Sequence, residues 1–177
     1  REKICYCRVS SHSQKDDLTE FNYLTSDERV LQIINKANFY GSDNGITRGL
    51  IFCNRNEEAQ KLSEKLNKSG LRTLALSGNS SDEERSLAIQ KLESDSISQK
   101  IDYILTVNIF NEGIDIPKVN QIILLRPTES AIVFIQQLGR GLRKADEKSY
   151  LTVIDFIGNY NNNYLIPIAL YGDSSYN

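Results

Sequence analysis

The chain has 177 residues, of which 40% are hydrophobic and 25% are charged, and its formal net charge is −2. These values fit one globular domain with a short appendage. They exclude a broadly basic surface but not a local basic strip. No apolar run approaches the roughly 20 residues that cross a bilayer. Three cysteines and one histidine argue against a disulfide framework, a four-ligand zinc site and a Ser/His/Asp triad, so we expect no metal site and a reducing, cytoplasmic setting.

The first 24 residues are predicted to be a linker or the end of a preceding region. Within them, the apolar run from Ile4 to Val9 fits either a strand or a linker. Cys5 and Cys7 alone are a weak basis for a metal site. The chain begins with Arg1 and contains no methionine, from which we expect a piece of a longer protein.

A helix is predicted to begin near Ser26. Either Thr25 or Ser26 can cap it, and the two acids that follow complement the helix dipole. Apolar residues at helical spacing supply its buried face: Val30, Ile33, Ile34 and Ala37. Gly41 and Gly45 are predicted to end this helix.

Short apolar segments then alternate with helices or long loops. Strands are predicted at residues 49–53, 71–76, 101–107, 119–125 and 150–156. Helices are predicted at 56–68, from Ser81 onwards with Leu87, Ile89 and Leu92 inside, and at 130–143. This alternation predicts a three-layer α/β domain over residues 25–157, with a mainly parallel sheet and helices on both faces. Residues 158–177 are predicted to leave the sheet as an extension towards a following domain.

The predicted helix at 130–143 has two separate faces. Its apolar side chains fall on one side, and Gln136, Arg140 and Arg143 fall in a narrow stripe on the other, at spacing i, i+4, i+7. Two internal glycines, Gly139 and Gly141, each cost about 0.5–1 kcal/mol relative to alanine, which indicates a close approach by backbone or ligand. Guanidinium groups bind phosphate oxygens well, so the stripe indicates a phosphate-binding face. The alternative interpretation of the stripe is a solvated helix face with ordinary surface arginines.

Four segments resemble motifs of superfamily 2 helicases, in the family's order and spacing. Gln136-x-x-Gly139-Arg140-x-x-Arg143 resembles motif VI, and Asn111-Glu112-Gly113-Ile114-Asp115-Ile116-Pro117 resembles motif V. Gly49–Arg55 followed by Glu57-Glu58-Ala59 is similar to motif IV, and Leu76-Ser77-Gly78 with Arg85 is similar to the segment between them. The details look most like bacterial DEAD/DEAH-box proteins of the restriction-helicase type.

The resemblance implies the second of two RecA-like, P-loop NTPase-like lobes in an ATP-dependent helicase or translocase. It implies catalytic roles for Arg140 and Arg143, as arginine fingers on ATP, and for Gln136, which would orient a neighbouring group. It implies nucleotide-binding roles for a further set: Glu112, Gly113, Asp115 and Gly139. It implies contacts with nucleic acid, DNA more than RNA, for six residues: Asn54, Arg55, Gly78, Arg85, Thr106 and Asn108.

Each of these roles has a structural alternative. An ordinary turn would have the composition of Gly113 and Asp115. Helix capping alone could explain Asn54, Ser77 and Ser81. The acidic runs Glu57-Glu58 and Asp82-Glu83-Glu84 fit helix N-termini. Cys53 is predicted to be a buried strand-end residue.

The expected partner is a first lobe on the same polypeptide. No Walker A sequence G-x-x-x-x-G-K-[ST] is present, and the Walker B acids that hold Mg²⁺ are also expected on the first lobe. This fragment alone is therefore expected to be inactive, with no membrane contact.

The sequence disfavours two other functions. A non-catalytic module that docks a partner protein is disfavoured because Gln136, Arg140 and Arg143 occur together. A doubly wound small-molecule enzyme is disfavoured because Cys53-Asn54-Arg55-Asn56, and no glycine-rich fingerprint, follows the predicted strand at residues 49–53.

Overall fold

The computed structural model describes residues 3–9, 21–107, 116–126 and 149–156. Six strands lie in this part of the chain: β1 (Lys3–Arg8), β2 (Gly49–Phe52), β3 (Thr73–Ala75), β4 (Tyr103–Thr106), β5 (Gln121–Leu124) and β6 (Tyr150–Asp155). The helices are α1 (Phe21–Leu24), α2 (Asp27–Tyr40), α3 (Asn56–Lys68) and α4 (Asp82–Glu93), and a 3-10 turn spans Asp43–Gly45. None of these helices has both the length and the apolar composition that a bilayer crossing needs.

The strands form one sheet in the order β1-β6-β5-β2-β4-β3. Every pair of neighbours is parallel, which confirms the predicted architecture. The five predicted strands are present, and the sixth is β1, for which the sequence left a strand or a linker open. β1 pairs with β6 along its whole length.

Each face of the sheet carries an apolar core. On one face α4 packs Ala88 and Leu92 with the inward side chains of β2, β4, β5 and β6. On the other face α2 and α3 pack their apolar stripes around Ile51, Leu105 and Ile123. β2, β4 and β5 are buried along their whole lengths, as expected for parallel strands covered on both faces.

The helix boundaries follow the predicted signals. Ser26 caps α2 by accepting a hydrogen bond from the Arg29 N–H, and Gly41 ends α2 with a φ of 65°. Ser81 and Glu84 form a capping box at the start of α4. One prediction was wrong: Leu87 is 51% exposed, because the buried side of α4 is formed by Ala88 and Leu92 instead.

A tyrosine ring on β4 occupies the space above a glycine on β2. Gly49 and Tyr103 are register partners, and a Cβ added to Gly49 would overlap the Tyr103 ring. The Tyr103 hydroxyl donates to Gln121 Oε1. The Gln121 amide in turn donates to the Gly41 carbonyl at 2.7 Å, so this chain of contacts joins the sheet to the end of α2.

Candidate functional site

The carboxyl ends of all six parallel strands lie along one edge of the sheet, here called the carboxyl edge. Backbone hydrogen bonds continue the strand pairing by one residue there: Cys53 N–H donates to the Thr106 carbonyl at 2.9 Å, and Leu125 N–H donates to the Phe52 carbonyl at 3.0 Å. The loops after the strands therefore start from fixed positions. Ligands of open α/β sheets bind at this edge, and the loops that follow β2, β3 and β4 begin there.

The loop after β2 is held by its own helix and by β5. The Asn54 N–H donates to Glu58 Oε2 at 2.8 Å, and the Asn54 side chain donates to the Leu125 carbonyl at 3.4 Å. The N-cap position of α3 belongs to Arg55, whose side chain makes no capping hydrogen bond and is exposed. The alternative of Asn54 as the cap of α3 is therefore wrong, and the Arg55 guanidinium is available to a ligand at a helix N-terminus.

Glu58 lies beneath this loop and is fully buried. Burial raises the pKa of its carboxyl group; the N–H groups of Asn54 and Arg55 and the charge of Arg29 oppose this rise. Cys53 is also fully buried, as predicted, and burial, with a smaller contribution from Glu58, raises the pKa of its thiol. This cysteine is consequently a packing residue and not a reactive thiol.

Arg29 brings a second buried charge to the same region. It is 2% exposed, and its guanidinium carbon lies 4.6 Å from the centre of the Phe156 ring, at the end of β6. A desolvated contact of this kind contributes about 2 kcal/mol. Arg29 therefore ties α2 to the carboxyl edge.

The loop after β3 is shaped by Arg85 from α4. Arg85 Nη2 donates to the Gly78 carbonyl at 3.1 Å, and Nη1 donates to Asp82 Oδ1 at 3.5 Å. The Ser77 N–H donates to Ser80 Oγ at 3.0 Å. Gly78 is exposed and a Cβ there would meet open space, so its backbone is accessible while its carbonyl is held by Arg85.

The side chain of Arg126 connects the ends of β4 and β5. It is 6% exposed, and its Nη1 donates to the Val107 carbonyl at 2.7 Å. Burial lowers the pKa of its guanidinium. Val107 and Arg126 are the last described residues before segments 108–115 and 127–148. Because β2 lies between β4 and β5 in the sheet, the Arg126 side chain reaches across the end of β2 and links the starting points of these two segments.

All seven residues predicted to act on or bind the nucleotide lie outside the described residues: Glu112, Gly113, Asp115, Gln136, Gly139, Arg140 and Arg143. Asn108, which was predicted to contact nucleic acid, also lies outside them. Of the described candidates, Asn54 and Arg55 lie in the loop after β2 and Gly78 lies in the loop after β3. Arg85 lies on α4, with its guanidinium against the Gly78 carbonyl. Thr106 needs a correction: it is fully buried in β4, so its side chain has no surface for a direct contact with nucleic acid.

Sequence reasoning missed the supporting residues Arg29, Glu58 and Arg126. Each is a charged side chain within or next to an apolar pattern: Arg29 stands beside Val30 on α2, Glu58 beside Ala59 on α3, and Arg126 follows the apolar run of β5. A charge at such a position is solvated in most proteins, so the pattern alone indicated neither burial nor partners.

The chain matches the family described as the helicase conserved C-terminal domain over residues 13–145. It is 31% identical over 126 residues to the ATP-dependent RNA helicase SrmB of Haemophilus influenzae, a match covering 71% of this chain and 27% of SrmB. It is 28% identical over 151 residues to IRC3 of Saccharomyces cerevisiae, a candidate ATP-dependent helicase, covering 85% of this chain and 21% of IRC3. The chain thus spans about a fifth to a quarter of these relatives.

Solved structures share the fold. The C-terminal domain of the DEAD-box protein Dbp5 superposes with a TM-score of 0.63 at 19% identity, over 97% of this chain and 85% of that domain. The ATP-dependent Type ISP restriction-modification enzyme LlaBIII, solved bound to DNA, superposes with a TM-score of 0.63 at 18% identity, over 96% of this chain and 13% of LlaBIII.

Proposed function

Because the chain belongs to the family of helicase conserved C-terminal domains, we propose that it is the second RecA-like lobe of an ATP-dependent nucleic-acid helicase or translocase. Its match to the family confirms the resemblance predicted from the motifs. Since the chain spans only part of its relatives, the proposal places the first lobe, with its phosphate loop, elsewhere in the same polypeptide.

The bond between Arg126 and Val107 carries this proposal. It links the starting points of segments 108–115 and 127–148 across the end of β2 at the carboxyl edge. The first segment contains the motif V residues, and the second contains the motif VI residues. A nucleotide at this edge would therefore meet both segments at once.

In this proposal Arg140 and Arg143 reach the γ-phosphate of ATP held by the first lobe. Charge develops on that phosphoryl group during hydrolysis, and a forked guanidinium stabilises it. Gln136 orients a neighbouring phosphate or catalytic group. The nucleotide itself is contacted by Glu112, Gly113, Asp115 and Gly139.

The Mg²⁺ that accompanies ATP is assigned to carboxylates of the first lobe. Among the described residues of this chain, no group of three or more His, Cys, Asp and Glu side chains is arranged to hold a metal ion. The arginines and amides of the motif segments suit phosphate oxygens and not a cation.

Nucleic acid is proposed to contact the loops after β2 and β3. The exposed Arg55 guanidinium and the exposed backbone of Gly78 would bind phosphate groups, and the same assignment extends to Asn54 and Asn108. Arg85 is proposed to position the Gly78 loop, because its guanidinium already bonds the Gly78 carbonyl. Closing and opening of the cleft between lobes would then step the protein along one strand.

The test removes one arginine finger in the full-length protein. Arg143→Ala is expected to lower nucleic-acid-stimulated ATPase turnover by about 10³–10⁵-fold while nucleotide binding is retained. Arg143→Lys should recover little, since an ammonium lacks the planar fork of a guanidinium. Stimulation is measured with single-stranded DNA, which the restriction-type resemblance favours, and with RNA of the same sequence.

Lys68→Ala is the matched control. It removes an exposed cation at the end of α3 opposite the carboxyl edge, and its turnover should equal that of the wild type. Unchanged turnover in Arg143→Ala would refute the finger role. If the full-length protein had no stimulated ATPase at all, the non-catalytic interaction module would become the better interpretation.

A further inference from the structure

Two thiols lie side by side on the edge strand β1. Cys5 is exposed, Cys7 is half-buried, and their Sγ atoms are 3.7 Å apart. The residues between and before them, Tyr6 and Ile4, pack against the core on the opposite face of the sheet. Because side chains alternate along a strand, Cys5 and Cys7 share the other face.

A buried hydroxyl without a hydrogen-bond partner lies on the neighbouring strand. Thr152 on β6 is the register partner of Cys5, and paired residues in a sheet point to the same face. Thr152 is 1% exposed, and its buried hydroxyl oxygen has no hydrogen-bond partner in the described structure. Such an atom costs stability unless a ligand or water satisfies it.

The spacing of the sulfur atoms matches two ligands of one ion. Two thiolates bound tetrahedrally at about 2.3 Å lie roughly 3.8 Å apart, close to the 3.7 Å that separates the Cys5 and Cys7 sulfurs. A disulfide would instead need an S–S distance of about 2.05 Å.

From this geometry we propose that Cys5 and Cys7 form a two-thiol site for a soft, thiophilic metal cation on β1, at the side of the sheet opposite β3. Binding breaks two S–H bonds, forms two sulfur–metal bonds and releases two protons to solvent. The ion must displace these protons, because a thiolate and not a thiol binds a metal ion. The described residues offer no larger ligand cluster, so water completes the coordination.

Cd²⁺ alone is the probe for this site. Titration of the purified chain, followed by the ultraviolet charge-transfer absorption of cadmium thiolates, should show one saturable ion per chain. Cys5→Ser and Cys7→Ser should each weaken binding by about 10²–10⁴-fold, because two linked ligands bind far more tightly than one. Circular dichroism checks that each variant is folded.

Cys53→Ala is the matched control, because it removes the buried third thiol and leaves the pair. Its affinity for Cd²⁺ should equal that of the wild type. If Cys53→Ala does not fold, the comparison of the wild type with the two serine variants still decides the outcome. Serine variants that bind Cd²⁺ as tightly as the wild type, or a wild type without saturable binding, would overturn the proposal.

Discussion

Replacing Arg55 by alanine tests the proposed nucleic-acid contact most directly. The side chain is exposed and makes no capping hydrogen bond, so its removal should leave the fold intact. Loss of one phosphate contact lowers the slope of log K against log salt by about 0.7 for a single strand. When the salt concentration rises from about 50 to 200 mM, the ratio of wild-type to variant affinity should therefore change by roughly 2.6-fold.

Arg85→Ala provides the contrast. Its side chain is only 22% exposed, and its guanidinium bonds the Gly78 carbonyl. Removing it releases the loop after β3 without removing a phosphate contact. We therefore expect weaker binding with the same salt slope as the wild type.

The assay is fluorescence anisotropy of a labelled single strand with the full-length protein at a series of salt concentrations. Lys68→Ala is again the control, since it removes a cation from the same helix as Arg55 but from its opposite end. A wild-type slope in Arg55→Ala, or an equal change of slope in Lys68→Ala, would contradict a phosphate contact by Arg55.

Two further predictions concern stability. Asn67→Ala removes three hydrogen bonds to Thr73 of the edge strand β3. Asn67 Oδ1 accepts from the Thr73 N–H at 2.7 Å and from the Thr73 hydroxyl at 3.2 Å, and Nδ2 donates to the Thr73 carbonyl at 3.2 Å. The free energy of unfolding in urea should fall by about 1–2 kcal/mol, and an unchanged value would contradict this. Glu58→Gln should change the pH dependence of stability: since the folded-state pKa of Glu58 is raised, its contribution to wild-type stability is full below the ordinary glutamate pKa and is lost as pH rises through the raised value. The free energy of unfolding of Glu58→Gln should thus rise relative to that of the wild type between the ordinary and the raised pKa. Urea unfolding at several pH values measures this difference, and parallel pH profiles for the two proteins would exclude the effect.

The sequence predicted the elements of the sheet well where local and tertiary signals agree. The helix predicted at 56–68 is α3 residue for residue, because Ala59, Leu62 and Leu66 form one apolar stripe between polar boundaries. Ser81 was open to prediction as a cap because a capping box depends on residues only three positions apart.

Other features depend on partners distant in the sequence. β1 has a mixed composition, and only its pairing with β6, about 147 residues later, makes it a strand. The burial of Glu58 and Arg126 depends likewise on loops brought together by the sheet. The positions of the loops at the carboxyl edge could therefore be predicted from the strand ends. The buried residues that hold these loops in place could not.

The Gly49 position on β2 has a consequence for how this sequence can diverge. Glycine in a strand normally weakens it, but here the missing side chain provides the volume that the Tyr103 ring fills. The ring hydroxyl and the Gln121 amide then hold the last turn of α2. A side chain can consequently be accepted at position 49 only together with a smaller residue at position 103, and homologous sequences should show these two positions changing as a pair.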